Sequence, residues 1–345
     1  MSDQRIEAEA RYKALSKRGT DYLGTEHAIL GGAMTWVSER KLVSAISNAG
    51  GFGVIACGGM PIDLLEAEIE ATRAMTDKPF GVNLITLRPD LDDLIAACRN
   101  MNVEHMVLAG GVPSGNAIKS IKDFGAKLMC FTPTVAFAKK LARSGADALV
   151  IEGNEAGGHI GPVSTAVLAQ EILPVIDQVP VFVAGGIGRG EAIVSFMEMG
   201  ASGAQLGTRF VVADECIAHE KFKRAFIRGN ARDAVASTAI DSRFPVIPVR
   251  ALKNQATEEF MATQREVVEQ FSADKINGHE AQMIIEHYWG GALRRAVQEG
   301  DIETGSVMAG QSVGMVKKEE PAADIINELV EQAITALTRD ETATV

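Results

Sequence analysis

Between residues 28 and 208 the chain alternates short, uninterrupted apolar runs with longer stretches of helical periodicity. The apolar runs occupy 28–34, 52–57, 80–85, 105–109, 127–131, 146–151, 179–184 and 203–206. A strand with one wet face alternates apolar and polar residues, whereas continuous runs suit parallel strands covered on both faces. The intervening segments 39–47, 61–75, 90–101, 135–144 and 190–199 read as helices. Eight strand–helix units at a spacing of about 25 residues predict an α/β fold, the (β/α)8 or TIM barrel. A doubly wound open sheet is the rival. It is disfavoured because eight units exceed its usual count, and because of where the glycines fall.

After residue 210 the texture changes to polar, irregular and helical, without strand-like runs. The chain therefore divides into an N-terminal helical segment over 1–24, the main barrel over 25–214, a helical cap insertion over 215–300 and a C-terminal segment over 301–345 that closes onto the barrel. Within the last of these, 306–316 is small and glycine-rich, 324–337 is an amphipathic closing helix, and 338–345 is expected to fray.

A chain of 345 residues buries enough surface to need no disulfide or metal staple. Its net charge of −11, from 45 acidic and 34 basic residues, argues against a nucleic-acid binder, which needs a basic surface to neutralise phosphates. Cys57, Cys98, Cys130 and Cys216 show no metal-ligand spacing and read as reduced, buried thiols. The charged start of the chain carries no signal-like apolar stretch, and no run of about 18 apolar residues exists to span a membrane. A cytoplasmic protein is expected.

Barrels of this kind place their chemistry at the C-terminal ends of the strands. The loops there read Gly31-Gly32-Ala33-Met34, Cys57-Gly58-Gly59, Glu152-Gly153, Ala156-Gly157-Gly158-His159, Ala184-Gly185-Gly186-Ile187 and Gln205-Leu206-Gly207-Thr208. The loops after the seventh and eighth runs, at Ala184-Gly185-Gly186 and Gln205-Leu206-Gly207-Thr208, suit a phosphate: small residues let backbone N–H groups approach it, and Thr208 adds a hydroxyl. No Walker lysine loop and no GxGxxG after the first run is present, so a P-loop or dinucleotide fold is unsupported. Five of six histidines, His27, His105, His219, His279 and His287, read as structural or solvent-facing. His159 differs, because Gly157, Gly158 and Gly161 flank it at a strand end, where a bare imidazole suits proton transfer near neutrality. No ligand spacing surrounds it, so no metal is expected. Glu152 is the one acid in a good strand-end position.

Six collinear strings carry a resemblance: GAMTWVSE (32–39), NAGGFGVI (48–55), DKPFGVNL (77–84), EGNEAGGHIG (152–161), VAGGIGRG (183–190) and QLGTRFV (205–211). Together they resemble the FMN-dependent nitronate monooxygenase family, formerly called 2-nitropropane dioxygenases, whose superfamily includes the flavin-dependent type II enoyl-[acyl-carrier-protein] reductases. The resemblance runs from about residue 20 to 335 and implies a TIM barrel with a helical cap. It implies that Gly32, Ala33 and Met34 lie against the isoalloxazine ring of FMN, that Asn83 hydrogen-bonds the flavin edge and that Glu152 sits near the ribityl chain. Ala184, Gly185, Gly186, Gln205, Leu206, Gly207 and Thr208 would hold the FMN phosphate, Gly157 and Gly158 would border the flavin, and His159 would face its reactive edge. The first loop departs from the family's usual Gln-Gly-Gly-Met, and the Ala33 methyl would tighten the substrate side.

Two activities compete for such a site. A nitronate oxidase, the leading reading, would use His159 as a base toward a nitroalkane, with dioxygen as the final oxidant. An enoyl reductase would take hydride from NAD(P)H, with His159 polarising the thioester carbonyl or delivering the α-proton. The segments PVRALKNQ (248–255) and 300–320 look more like the reductase branch, and the cluster Lys221, Lys223, Arg224, Arg228 and Arg232 would suit an acidic carrier protein or a nucleotide phosphate. Its bland alternative is a solvated helix face. A flavin-free, phosphate-binding barrel isomerase or lyase is the remote third reading, lacking paired carboxylates or a strand-end lysine. A non-catalytic binding module is remoter still. Trp36 would line the substrate side or pack as a core aromatic, and pairing of barrels into a homodimer is compatible with all of these.

Overall fold

Runs that are apolar on both faces must be covered on both faces, and the chain achieves this by closing the sheet into a cylinder. A computed structural model describes residues 3–244 and 247–340; residues 341–345, part of the tail expected to fray, lie outside the described residues. Helix α1 (Asp3–Leu23) is followed by β1 (Ile29–Gly31), α2 (Arg40–Asn48), β2 (Gly53–Ala56), α3 (Ile62–Met75), β3 (Phe80–Ile85), α4 (Leu91–Asn100), β4 (His105–Ala109), α5 (Gly115–Asp123), β5 (Lys127–Phe131) and α6 (Val135–Arg143). Then come β6 (Ala148–Glu152), the two-residue β7 (Gly158–His159), α7 (Thr165–Ile172), β8 (Val181–Ala184), α8 (Gly190–Glu198) and β9 (Gly203–Leu206). The eight long strands are all parallel, in the order β1-β9-β8-β6-β5-β4-β3-β2, and a bridge between Leu30 and Phe52 joins β2 back to β1. The expected TIM barrel is the fold.

The remaining elements are α9 (Glu220–Arg228), β10 (Ala234–Ala236), β11 (Val249–Leu252), α10 (Gln255–Ser272), α11 (Gly278–Arg294) and α12 (Ala322–Asp340). Helix α12 packs against both α8 and α2, so it is the barrel's eighth helix. The cap is thus a long excursion in the last strand-to-helix connection. Its exit and return are fastened together by a bridge between Ala213 and Glu320. Asn254 and Asn277 cap α10 and α11 through reciprocal side-chain bonds, which fixes where the two cap helices begin. The helices pack on their own apolar cluster of Phe244, Val249, Phe260, Val267, Ile285 and Trp289, with the Phe260 and Trp289 rings 4.5 Å apart.

One expectation is corrected here. The cap is not purely helical, because β10, β11 and β7 form a small antiparallel sheet. Ala234–Ala236 and Val249–Leu252 are short, the second broken by Arg250, so neither stands out locally, and β11 pairs with β10 and with β7 about ninety residues earlier in the chain.

The N-terminal end of the barrel is closed by α1. Tyr22, at its C-terminal end, stands edge-on to the ring of His105 at 5.9 Å, and His105 Nε2 lies 3.3 Å from the Tyr22 carbonyl oxygen. Burial lowers the pKa of both His105 and His27, outweighing the neighbouring acids. Around pH 6.5 the folded protein therefore binds fewer protons at these rings than the unfolded chain. The stability they contribute is present above that pH and is lost as pH falls through the lowered folded values. Thermal denaturation is expected to show a midpoint that drops between pH 7.5 and pH 5, and His27→Gln with His105→Gln is expected to flatten that drop.

Candidate active site

The C-terminal ends of the strands converge on one mouth, and the loops that leave them are tied to one another by backbone bonds. Gly32 N donates to Leu206 O at 2.8 Å, joining the first loop to the last strand. Ser38 Oγ donates to Gly32 O at 2.9 Å and accepts from Met34 N at 3.0 Å, so the turn over Gly31–Met34 is held from below. Gln205 is buried under Gly32, and Met34 faces Gly207. On the far side, Gly153 N donates to Ala184 O at 3.0 Å.

The loop after β8 turns through Gly185 and Gly186, with φ of +96° and +71°, a conformation in which a side chain is strained. A Cβ at Gly185 would lie 2.9 Å from the Gly153 backbone, and one at Gly186 would lie 2.9 Å from Glu155 Cβ. Among the described residues, the peptide N–H groups of Gly185, Gly186, Gly207 and Thr208 donate to no protein acceptor. Bare N–H groups on two adjacent loops, one of them leading into α8, make a cradle for an anion. The phosphate reading of these residues fits what the backbone offers.

His159 sits in β7, paired with Val249 of β11, while Gly158 pairs with Arg250. The residue is exposed, yet the surrounding loops take enough water from its ring to lower its pKa from 6.5. It is a neutral imidazole at pH 7. Glu152, half-buried at the end of β6, has no hydrogen bond or ion pair among the described residues, and burial pushes its carboxyl up to about 7. Both groups thus lean toward their uncharged forms for the same reason.

Residues that local reading passed over hold this arrangement in place. Glu155 Oε2 accepts from Thr165 N at 2.9 Å and lies 2.9 Å from Thr165 Oγ1, which is also 3.0 Å from Gly185 O. Glu155 O accepts from Gln311 N at 2.9 Å. Arg250, buried in β11, donates from Nε to Asn154 O at 2.9 Å and from Nη1 to Ala234 O at 2.5 Å. Gly310 N donates to Thr208 Oγ1 at 3.0 Å, so the hydroxyl read as a phosphate donor also anchors the returning cap segment.

The chain matches the family described as nitronate monooxygenase over residues 16–332. It belongs to that family. Its members are flavin-dependent oxidoreductases, and so is this chain. It is 28% identical to (3aS,4S,5R,7aS)-5-hydroxy-7a-methyl-1-oxo-octahydro-1H-indene-4-carboxyl-CoA dehydrogenase of Mycobacterium tuberculosis, over 92% of this chain and 96% of that protein. Among solved structures it is similar to FabK from Thermotoga maritima, with a TM-score of 0.85 and 35% identity over 94% of this chain and 98% of that one. It is also similar to the nitroalkane oxidase of Streptomyces ansochromogenes, with a TM-score of 0.77 and 25% identity over 93% and 99% of the two chains.

Against this family background, the structure brings Gly32, Met34, Gln205, Leu206 and Gly207 into one wall, and Ala184, Gly185 and Gly186 into the next. Asn83 is buried in β3, where its Nδ2 lies 3.3 Å from Val107 O, so part of its amide is used by the barrel wall. Trp36 adopts a φ of +67°, rare for a bulky residue, with the Arg294 guanidinium of α11 5.3 Å from its ring. The basic cluster is not one open face. Lys223 is buried, donating to Ala213 O at 2.8 Å, and Arg224 pairs with Glu220 on its own helix. All four cysteines are buried, and burial raises each thiol pKa to about 11 or 12. Among the described residues, no cluster of His, Cys, Asp or Glu is placed to hold a metal, and no helix is long and apolar enough to cross a membrane.

Gly157 and Gly310 meet backbone to backbone, and a Cβ on Gly157 would lie 2.6 Å from Gly310 N. Gly157→Ala is expected to destabilise the protein by about 1–3 kcal/mol in chemical denaturation, as overpacking does. Gly161→Ala in the same loop, where a Cβ would have no neighbour within 4 Å, is expected to leave the midpoint unchanged.

Proposed function

We propose that the flavin is FMN and that the substrate is an α,β-unsaturated acyl thioester, reduced at the expense of NAD(P)H. The observation that carries this reading is the place of the segment around Gly310. The 300–320 stretch resembles the reductase branch, and it forms a wall of the site through Gly310 N on Thr208 Oγ1 and Gln311 N on Glu155 O. The 35% identity to FabK and the acyl-CoA substrate named for the mycobacterial relative support a thioester.

The unpartnered N–H groups of Gly185, Gly186, Gly207 and Thr208 would take the FMN phosphate, with Ala184, Gln205 and Leu206 shaping the loops around it. Gly32, Ala33 and Met34 would border the ring, Asn83 its edge, Gly157 and Gly158 its rim, and Glu152 the ribityl hydroxyls. The chemistry that bound FMN supplies is two-electron, hydride-equivalent exchange. A neutral His159 offers an N–H to the thioester carbonyl oxygen and polarises it without adding a charge to the mouth. Glu152, with its pKa raised to about 7, would both donate hydrogen bonds to the ribityl hydroxyls and accept them. Buried, reduced thiols suit a cytoplasmic setting. Lys221, Arg228 and Arg232 would be the remaining contacts for an acidic carrier.

Nitronate oxidation is the second reading, and the neutral state of His159 favours it, because only the neutral ring can accept a proton from a nitroalkane. Anaerobic absorbance separates the two. Bleaching of the flavin band by NADH or NADPH, reversed by an enoyl thioester, is the expected result. Bleaching by a nitronate with the nicotinamides inert would replace the thioester reading with the nitronate one.

His159→Ala is expected to lower kcat about 10²–10⁴-fold while leaving flavin bound. Were the nitroalkane the substrate, kcat/KM would instead rise with pH through a midpoint below 6.5, and His159→Ala would erase that limb.

A further inference from the structure

We propose that Gln332, Glu328 and Arg209 are positioning residues that set the spacing of the two phosphate loops, using α12 as the ruler between them. The inference rests on the reading that these loops hold the flavin phosphate. A continuous chain of polar contacts joins the loops from behind. Gly190 N, at the start of α8 and four residues beyond Gly186, donates to Gln332 Oε1 at 2.9 Å. Gln332 Nε2 donates to Glu328 Oε1 at 2.8 Å, one turn back along α12. Glu328 Oε2 accepts from Arg209 Nη2, and Arg209 directly follows Thr208.

Arg209 is 4% exposed, and its Nη2 also donates to buried Glu320 at 3.0 Å. Glu320 takes a second cation, Lys318, at 3.0 Å. Both carboxylates meet the guanidinium at the one nitrogen Nη2, while Nη1 is buried without a partner among the described residues. Contact between α8 and α12 is equally close at the backbone: a Cβ on Gly190 would lie 1.9 Å from Leu329 O. Neither Gln332 nor Glu328 lies in the mouth. Their only route to a ligand is through the loops, which makes the effect specific to the phosphate end of the flavin.

The test is fluorescence titration of the full chain, stripped of flavin, with FMN and separately with riboflavin, which has no phosphate. Gln332→Ala and Glu328→Gln are expected to weaken FMN binding about tenfold each, roughly the worth of one charge-assisted hydrogen bond. Riboflavin affinity should stay within about twofold, as for an independent site. Because the residues act in series, the double variant should lose little more than the worse single one. Arg209→Lys, which keeps a charge on a shorter, more mobile stem, should fall between wild type and Arg209→Met. Unchanged FMN affinity in both α12 variants, or equal weakening of FMN and riboflavin, overturns the proposal while leaving the flavin reading intact. A wild-type chain that binds neither ligand overturns both.

Discussion

Everything at the mouth depends on the pairing of a two-residue strand in a barrel loop with a strand of the cap. The segment between β6 and α7 is glycine-rich and, left alone, would be entropically costly to order. Pairing of Gly158 and His159 with Arg250 and Val249, continued by Ile160 N donating to Pro248 O at 2.9 Å, gives that segment a fixed backbone. The His159 imidazole is thus mounted on a sheet shared by barrel and cap. Arg250 completes the mounting by donating to carbonyls of Asn154 and Ala234, so a buried guanidinium is satisfied by backbone acceptors. Leaving those carbonyls and that charge unpaired would cost more than the bonds themselves contribute.

The same economy of contact explains the small residues around the returning chain. At residues 306–316 the cap comes back across the mouth and lies directly on the loops that carry His159 and Thr208. Gly310 passes within contact of Gly157, and its N–H reaches the Thr208 hydroxyl. Side chains at either glycine would hold the two backbones apart. Glycine therefore serves where loops from distant parts of the sequence share one small volume, as it also does in the barrel wall, where a Cβ at Gly53 or Gly203 would meet a neighbouring carbonyl at 2.2 or 2.3 Å.

How much of this the sequence discloses follows from the range of the interactions. The eight barrel strands are legible because each is a local apolar run, and the glycine-flanked His159 is legible because its neighbours in sequence are also its neighbours in space. Glu155 and Arg250 stood inside conspicuous strings, yet their partners, Thr165 and Gln311 for one and Asn154 and Ala234 for the other, are revealed only by folding. Likewise, amphipathicity marks α12 as a helix but cannot say that it is the barrel's eighth, separated from its strand by the whole cap. Lys223 shows the converse error. A charge run invites a surface reading, while burial against Ala213 O removes Lys223 from it.

The electrostatics of the site follow from the same geometry. The chain carries a net charge of −11, but the mouth is not built to meet an anion with lysines. Bare N–H groups and the start of α8 offer partial positive charge that needs no desolvated counter-ion. Arg209, which follows Thr208, is already balanced by Glu320 and Glu328. Glu152 and His159 are both shifted toward their uncharged forms by lost hydration, the first with its pKa raised to about 7 and the second lowered from 6.5. A ligand that fills the mouth removes more water and drives both groups further the same way. Occupancy therefore deepens the neutrality of the site, favouring a protonated Glu152 and a neutral His159 ring more in the filled enzyme than in the empty one.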